Sequence, residues 1–348
     1  MTRVGADAEG IMSEKQKLII DCDVGTDDAV AMLGLLLADR IDVIGITTVH
    51  GNLPVEQTTQ NALSIVELVG QDIPVYAGCP HALTHGLFPG RTQNTLCQTT
   101  RKEYRGQPLR IHEPSLGLPT GGRTAEREHA VSFLVRTLCE STEPIDICAI
   151  GPLTNLAAAF ILAPEVAKKI GTLYIMGGGI HIGNRTPVAE ANFADDAEAA
   201  AKVMLSGANL LIGPIEANEI GATYRLADIE AIEALGSKTG AFVGALLRRW
   251  LWRCDMLWAP GFDLPPYQCM PDSSCCIHDW AAVAPAIDPA TVTDVRREVC
   301  RVDCSGGMAD GQLVIDRRGY GFAPNAAVVY NMDEARCKGL LLSLLAKC

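Results

Sequence analysis

The chain has 348 residues, 48% of them hydrophobic and 20% charged, which is enough apolar material for a sizeable core and excludes a disordered chain. A formal net charge of −12 sets it against nucleic acid and anionic membrane surfaces, so neither is an expected partner. No apolar run reaches the roughly 18 residues of a membrane span, and the 13 cysteines, an odd number scattered through apolar segments, read as free thiols of a reducing, cytoplasmic compartment.

Residues 1–15 are charged and mixed and read as a flexible tail ahead of a single domain over 16–348. Strand-length apolar runs then alternate with helical periods. Residues 18–21 predict a strand, 27–38 a helix, 41–49 a strand, 55–70 an amphipathic helix and 73–77 a strand. Further on come a strand over 145–150, a helix from 153, a strand over 172–176, a helix over 195–206 and a strand over 210–212. Such alternation means βαβ units in an open, mostly parallel, Rossmann-like α/β sheet flanked by helices. Two stretches break the rhythm. Residues 78–123, with Arg91, Arg101, Arg105 and Arg110, and the proline-rich 255–274 read as long loop insertions near a site or a subunit contact. The chain ends Ala346-Lys347-Cys348, a faint relative of a peroxisomal address, against the cytoplasmic default.

The sharpest local signal follows the first strand, where Asp21, Asp23, Asp27 and Asp28 fall within eight residues. Ligands of open α/β sheets bind at the carboxyl ends of the strands. Four carboxylates packed there repel one another, and a hard divalent cation relieves that repulsion through oxygen ligands. Helix capping needs one Asp, or two, and leaves Asp21 and Asp23 unexplained. An EF-hand counted from Asp21 fails, because Thr26 and Met32 stand where Gly and Glu are required. A haloacid-dehalogenase-like phosphatase, with Asp21 as nucleophile and Mg²⁺, remains an alternative.

Asp21-Cys22-Asp23-Val24-Gly25-Thr26-Asp27-Asp28-Ala29 resembles the signature of the inosine–uridine-preferring nucleoside hydrolase family. Four further blocks resemble that family in order: Thr47 to Asn52, ending in Gly-Asn; Ile150-Gly151-Pro152-Leu153-Thr154-Asn155; Met176-Gly177-Gly178-Gly179 with Asn184 and Glu190-Ala191-Asn192; and His278-Asp279. The resemblance covers roughly residues 17–345. It implies hydrolysis of the N-glycosidic bond of ribonucleosides, with inosine or guanosine and possible uridine as substrates, in purine salvage. It also implies one Ca²⁺ and a homodimer or homotetramer.

Residue by residue, the resemblance implies that Asp23, Asp28, Asp279 and the Ile150 carbonyl hold the ion, with Asp21 supporting them. Asp27, Asn184, Glu190 and Asn192 are expected to grip the ribose, Met176 to line its pocket, and Asn52 to orient Asp23. His278 is expected to donate a proton to the departing base; a structural partner for Asp279 is its other reading. Asp23 is expected to act as general base on water, the cation polarising that water while positive charge grows on the ribose ring. His112 echoes a further family block, but Glu113 stands in place of its Gly. Trp250, Trp252 and Trp258 could stack on a purine or sit in the core, and Ala191 stands where many members carry an aromatic. A non-catalytic ribose- or Ca²⁺-binding protein on the same scaffold is the remaining alternative.

Overall fold

The computed structural model describes residues 15–88, 103–104, 107–108, 110, 112–258, 269–270 and 272–348. The expected tail and parts of both expected insertions, including Arg91, Arg101 and Arg105, lie outside the described residues, as does the side chain of Trp258.

The chain opens with β1 (Gln16–Cys22), α1 (Thr26–Leu36), β2 (Ile41–Thr48), α2 (Val55–Val69) and β3 (Val75–Ala77). Within the insertion, the short strands β4 (Glu103–Tyr104) and β5 (Gln107–Pro108) pair with each other. Next come α3 (Ala130–Glu140), β6 (Ile145–Ala149), α4 (Thr154–Leu162) and β7 (Ile170–Met176). They lead to α5 (Ala191–Asp195), α6 (Ala197–Met204), β8 (Leu210–Gly213) and α7 (Ile215–Gly221). The last third holds β9 (Thr223–Arg225), α8 (Leu226–Glu233), α9 (Lys238–Trp258), β10 (Ser274–Cys276) and α10 (Trp280–Ile287). It closes with β11 (Val292–Glu298), β12 (Cys300–Val302), β13 (Leu313–Ile315), β14 (Ala326–Met332) and α11 (Glu334–Leu345).

Eight strands form the central sheet in the order β11-β14-β8-β7-β6-β1-β2-β3. Every neighbouring pair is parallel except β11 and β14 at one edge. The open, mostly parallel α/β sheet is thus present, with an antiparallel edge strand added. The expected helix over 195–206 is broken in two. Asp196 leaves the helical region at φ −150°, and its carboxylate accepts the Ala199 N–H at 3.0 Å, capping α6.

Both sheet faces are covered, which is why the strands are apolar on both sides. Along β1, Leu18, Ile20 and Cys22 pack into one core with α1, α9, α10 and α11, while Ile19 enters the other with α3, α4 and α6. All eleven residues of α1 are buried. Gly34 lets α1 approach α10, because a Cβ there would enter the Trp280 ring. Trp280 is itself fully buried and donates its indole N–H to the Cys337 carbonyl at 3.2 Å. The chain end is tied to this layer. Lys347 pairs with Asp39 at 2.7 Å, and the Cys348 carbonyl accepts the Thr239 N–H at 3.1 Å.

From β1 the chain winds outward through β2 and β3; from β6 it winds the opposite way through β7 and β8. The order reverses between β1 and β6, and the carboxyl ends of such strands open a crevice. Asp21 and Asp23 emerge from β1 at that point, Ile150 from β6 and Met176 from β7.

Candidate active site

Asp21 closes the floor of the crevice. It is fully buried, and its Oδ1 accepts from Thr47 Oγ1 at 2.6 Å and Asn155 Nδ2 at 2.8 Å. Burial pushes its carboxyl up to about 6, against those two hydrogen bonds. A carboxylate so enclosed cannot reach an incoming phosphoryl group, which removes the nucleophile of the phosphatase alternative. Asp23 stands above it. Its Oδ2 accepts the Asn52 main-chain N–H at 2.6 Å, and its own N–H donates to Asp28 Oδ1 at 3.2 Å. Asn52 reaches further, donating its side-chain amide to Asp28 Oδ2 at 3.0 Å. Gly51 makes room for this, since a Cβ there would strike the Asp23 carboxylate.

Asp28 sits in the first turn of α1, where the helix dipole favours negative charge. Asp279 stands at the N-terminal boundary of α10, its side chain making no capping hydrogen bond. Ligand oxygens of Asp27, Asp28 and Asp279 lie within 4.8 Å of one another, all three residues buried. Burial and the charge of Asp28 raise the carboxyls of Asp23 and Asp279 well above the usual range, and burial with Asp27 raises Asp28 to about 6. Four buried oxygens, Asp21 Oδ2, Asp23 Oδ1, Asp27 Oδ1 and Asp279 Oδ2, have no hydrogen-bond partner among the described residues. Asp27, Asp28 and Asp279 converge, and Asp27 and Asp279 each leave an oxygen unsatisfied; such mutually repelling carboxylates are the donor set of a hard divalent cation, so these residues fit one. The trio includes Asp27, expected only on the ribose, whereas Asp23 stands a step behind it.

Two histidines flank Asp27. His278 Nδ1 lies 3.6 Å from its Oδ2 and His112 Nδ1 3.9 Å from its Oδ1. Burial would raise the Asp27 carboxyl, but the His278 hydrogen bond and the two imidazoles hold it below its ordinary value. Burial likewise opposes the charged form of His278, yet Cys276 and Asp27 hold its pKa well above the usual histidine value. His112 accepts the Thr26 N–H at 3.2 Å through Nδ1.

The sugar side is built from β7 and the loop behind it. Asn192 donates its amide to the Ile150 carbonyl at 3.2 Å and to the Met176 carbonyl at 3.1 Å. Glu190 caps α5, accepting from the N–H groups of Asn192, Gly178 and Phe193 at 2.9, 3.0 and 3.3 Å. Burial outweighs these bonds and raises its carboxyl to about 7. Asn184 lies at the exposed rim, its Oδ1 holding the Ala191 N–H at 2.8 Å. The aromatic of this stretch is Phe193, which is buried against Gly177 and Gly178 and offers no shielding face.

Trp250 and Trp252 are 4% and 6% exposed; Trp250 belongs to the hydrophobic core, with its ring 6.3 Å from that of His112. Neither presents an open stacking face, so the purine-stacking expectation gives way to the core reading. Three residues went unnoticed as parts of the site. Asn155 and Thr47 hold Asp21, and the Gly-Pro-Leu-Thr-Asn block was the available signal for Asn155. Arg253, which follows Trp252 on α9, pairs with Glu113 beside His112.

Residues 18–339 match the model of the "inosine-uridine preferring nucleoside hydrolase" family. A pyrimidine-specific ribonucleoside hydrolase, RihA of Escherichia coli, is 32% identical over 331 residues, covering 94% of this chain and 97% of that protein. An uncharacterised protein of Schizosaccharomyces pombe is 37% identical over 241 residues, covering 67% of this chain and 71% of its own length. Among solved structures, a plant nucleoside hydrolase matches with a TM-score of 0.76 at 27% identity over 96% of this chain and 99% of its own. A purine-preferring ribonucleoside hydrolase from Gardnerella vaginalis gives 0.76 and 27% over 95% and 98%. The chain belongs to the inosine–uridine-preferring nucleoside hydrolase family and is a ribonucleoside hydrolase.

Proposed function

We propose that the protein is a divalent-cation-dependent hydrolase of 6-oxopurine ribonucleosides, inosine and guanosine, that also accepts uridine. The observation that carries this reading is the meeting of Asp27, Asp28 and Asp279 beside the amide of Asn192 and the carboxylate of Glu190. Asp23, Asp28, Asp279 and the Ile150 carbonyl would hold the ion, for which Ca²⁺ suits an all-oxygen set, with Asp27 within reach. When bound, the ion supplies Lewis acidity toward water and toward the ribose diol.

The chain's own residues do the rest. Asp27, Asn184, Glu190 and Asn192 fix the ribose by its hydroxyls, so the ring is oriented before any bond breaks. As the C–N bond lengthens, positive charge grows on the ring, and the buried carboxylates nearby stabilise it. Asp23 accepts the proton of the attacking water. Asn52 fixes Asp23 in place through the 2.6 Å hydrogen bond. His278, its proton retained by Asp27, donates to the departing base.

Retention of His278 before Asp279 supports the 6-oxopurine and uridine preference; the names of the relatives divide between pyrimidine and purine. Reducing-sugar release is to be measured from inosine, guanosine, uridine, cytidine and adenosine, before and after chelation. Release from inosine, guanosine and uridine that stops on chelation and returns with Ca²⁺ is expected. Activity confined to cytidine and uridine would overturn the base assignment, and silence on all five the whole reading.

A further inference from the structure

We propose that Glu216, at the start of α7, is a positioning residue for ribose recognition, acting through the loop that carries Asn184. This inference rests on the ribose role given above to Asn184. Glu216 is 32 residues from Asn184 in the chain and belongs to none of the blocks that mark the acidic cluster. Its carboxylate nevertheless receives three consecutive backbone donors of the loop after β7. The N–H of Ile180 donates to Oε2 at 2.9 Å, and those of His181 and Ile182 donate to Oε1 at 2.6 and 3.1 Å. An ionised acceptor makes each of these bonds stronger than a neutral one.

The loop needs such an anchor. It leaves β7 through Gly177, Gly178 and Gly179, and Gly178 has a positive φ of 72°. Residues 181, 182 and 184 are exposed, so hydrophobic burial does little to fix their path. Side chains and cross-loop bonds do it instead. Glu190 holds the Gly178 N–H, the Gly178 carbonyl accepts the Ile215 N–H at 3.0 Å, and the Arg185–Asp195 pair at 2.7 Å closes the far end. Between these ties, the segment 180–182 has Glu216 as its carboxylate anchor, and Asn184 follows two residues later. Asn184 Oδ1 is already committed to the Ala191 N–H, so its amide N–H₂ is the group left to meet a sugar hydroxyl. Where that amide sits depends on the backbone that Glu216 holds.

Glu216→Gln keeps the length of the side chain but leaves one acceptor oxygen and turns an amide N–H₂ toward backbone donors. Glu216→Asp keeps the charge but is one methylene short. Both are compared with wild type and with Asn184→Ala, singly and combined, using the full-length protein, Ca²⁺ and inosine. Glu216→Gln is expected to raise KM about tenfold, the order of one lost charge-assisted hydrogen bond, with kcat within about threefold. On the Asn184→Ala background the same change should cost less than about twofold, because the two residues act on one contact. Glu216→Asp should recover part of the lost affinity.

Equal losses on both backgrounds, a fall in kcat with KM unchanged, or wild-type kinetics in both Glu216 variants would overturn the proposal. A lowered melting temperature with unaltered KM would assign Glu216 to stability alone and overturn it as well. Absence of hydrolysis by the wild-type protein would instead strike the underlying reading, and wild-type KM in Asn184→Ala would strike the ribose role of Asn184.

Discussion

Asp279→Asn separates the electrostatic account of the site from a purely structural one. Asp279 reaches the crevice from α10, and its carboxyl is raised by burial and by Asp28. Its Oδ2 has no hydrogen-bond partner among the described residues. In chelator near pH 7.5 such a group costs the fold energy, and a neutral amide of equal size relieves about 1–3 kcal/mol. The cation works in the opposite direction. At one hundred times its dissociation constant a ligand adds about 2.7 kcal/mol to stability. An unfolding entropy of about 2.1 cal/mol/K per residue over 348 residues makes 1 kcal/mol worth about 1.4 °C, so wild type should gain about 4 °C. Asp279→Asn should melt about 1–4 °C above wild type in chelator and lose most of the gain on adding Ca²⁺. Scanning calorimetry of both proteins in chelator and through a Ca²⁺ titration reads both numbers. A variant less stable than wild type in chelator, with the Ca²⁺ gain intact, would refute the argument.

Asp23→Asn should lower kcat by about 10²–10⁴ while circular dichroism stays that of wild type, and near-normal turnover would remove Asp23 as the base. The pH dependence of the chelated protein follows from Asp21 and Glu190, raised to about 6 and about 7. The folded state holds these protons more tightly than the unfolded one, so their stabilisation is complete below about pH 4 and is lost as pH rises through 6 and 7. Urea unfolding in chelator should thus show lower stability at pH 8 than at pH 5, by about 1.4 kcal/mol from Asp21 and about 2.6 kcal/mol from Glu190; a rise would contradict it. Gly34→Val forces a side chain into the Trp280 ring and should cost about 1–3 kcal/mol, measured by the same unfolding experiment, with no effect expected if α1 and α10 are free to part.

Strands β1, β2, β3, β6, β7 and β8 were legible because a parallel sheet covered on both faces makes each strand a short apolar run. The break between α5 and α6 was not, because it depends on Asp196 leaving the helix to cap the next one while its other oxygen takes the Leu83 N–H at 2.8 Å and the Thr154 hydroxyl at 2.7 Å. Those bonds join residues 42 and 113 positions from Asp196. The antiparallel edge strand β11 escaped notice for another reason. Its pattern of exposed and half-buried residues, with Arg296 and Arg297, carries no continuous apolar run. In the site, the acidic cluster was plain because repulsion among near neighbours is itself a local signal. The roles of Asn155 and Glu216 were not, since each is a polar residue whose partners lie far from it in the chain.

The division between legible and illegible follows the substrate. Its sugar and metal side is assembled from residues that leave strand ends within a few positions of one another: Asp21 and Asp23 after β1, Asn52 after β2, Ile150 after β6, Met176 after β7. The sheet brings these ends to one edge, so short motifs suffice to mark them. Near Asp27, His112 and His278 come together from distant parts of the chain, with Glu113 held by Arg253 of α9 and the His112 ring 6.3 Å from that of the buried Trp250. Substituting Gly by Glu at position 113 looks disruptive as a motif change, yet it supplies a carboxylate partner to the buried Arg253. The relatives point the same way: one is named for pyrimidines and another for purines, although the solved one shares this fold at a TM-score of 0.76. A common sheet edge accounts for a common reaction on ribose. Under the proposed reading, the choice of base would lie in the long-range contacts around His112 and His278, near helix α9.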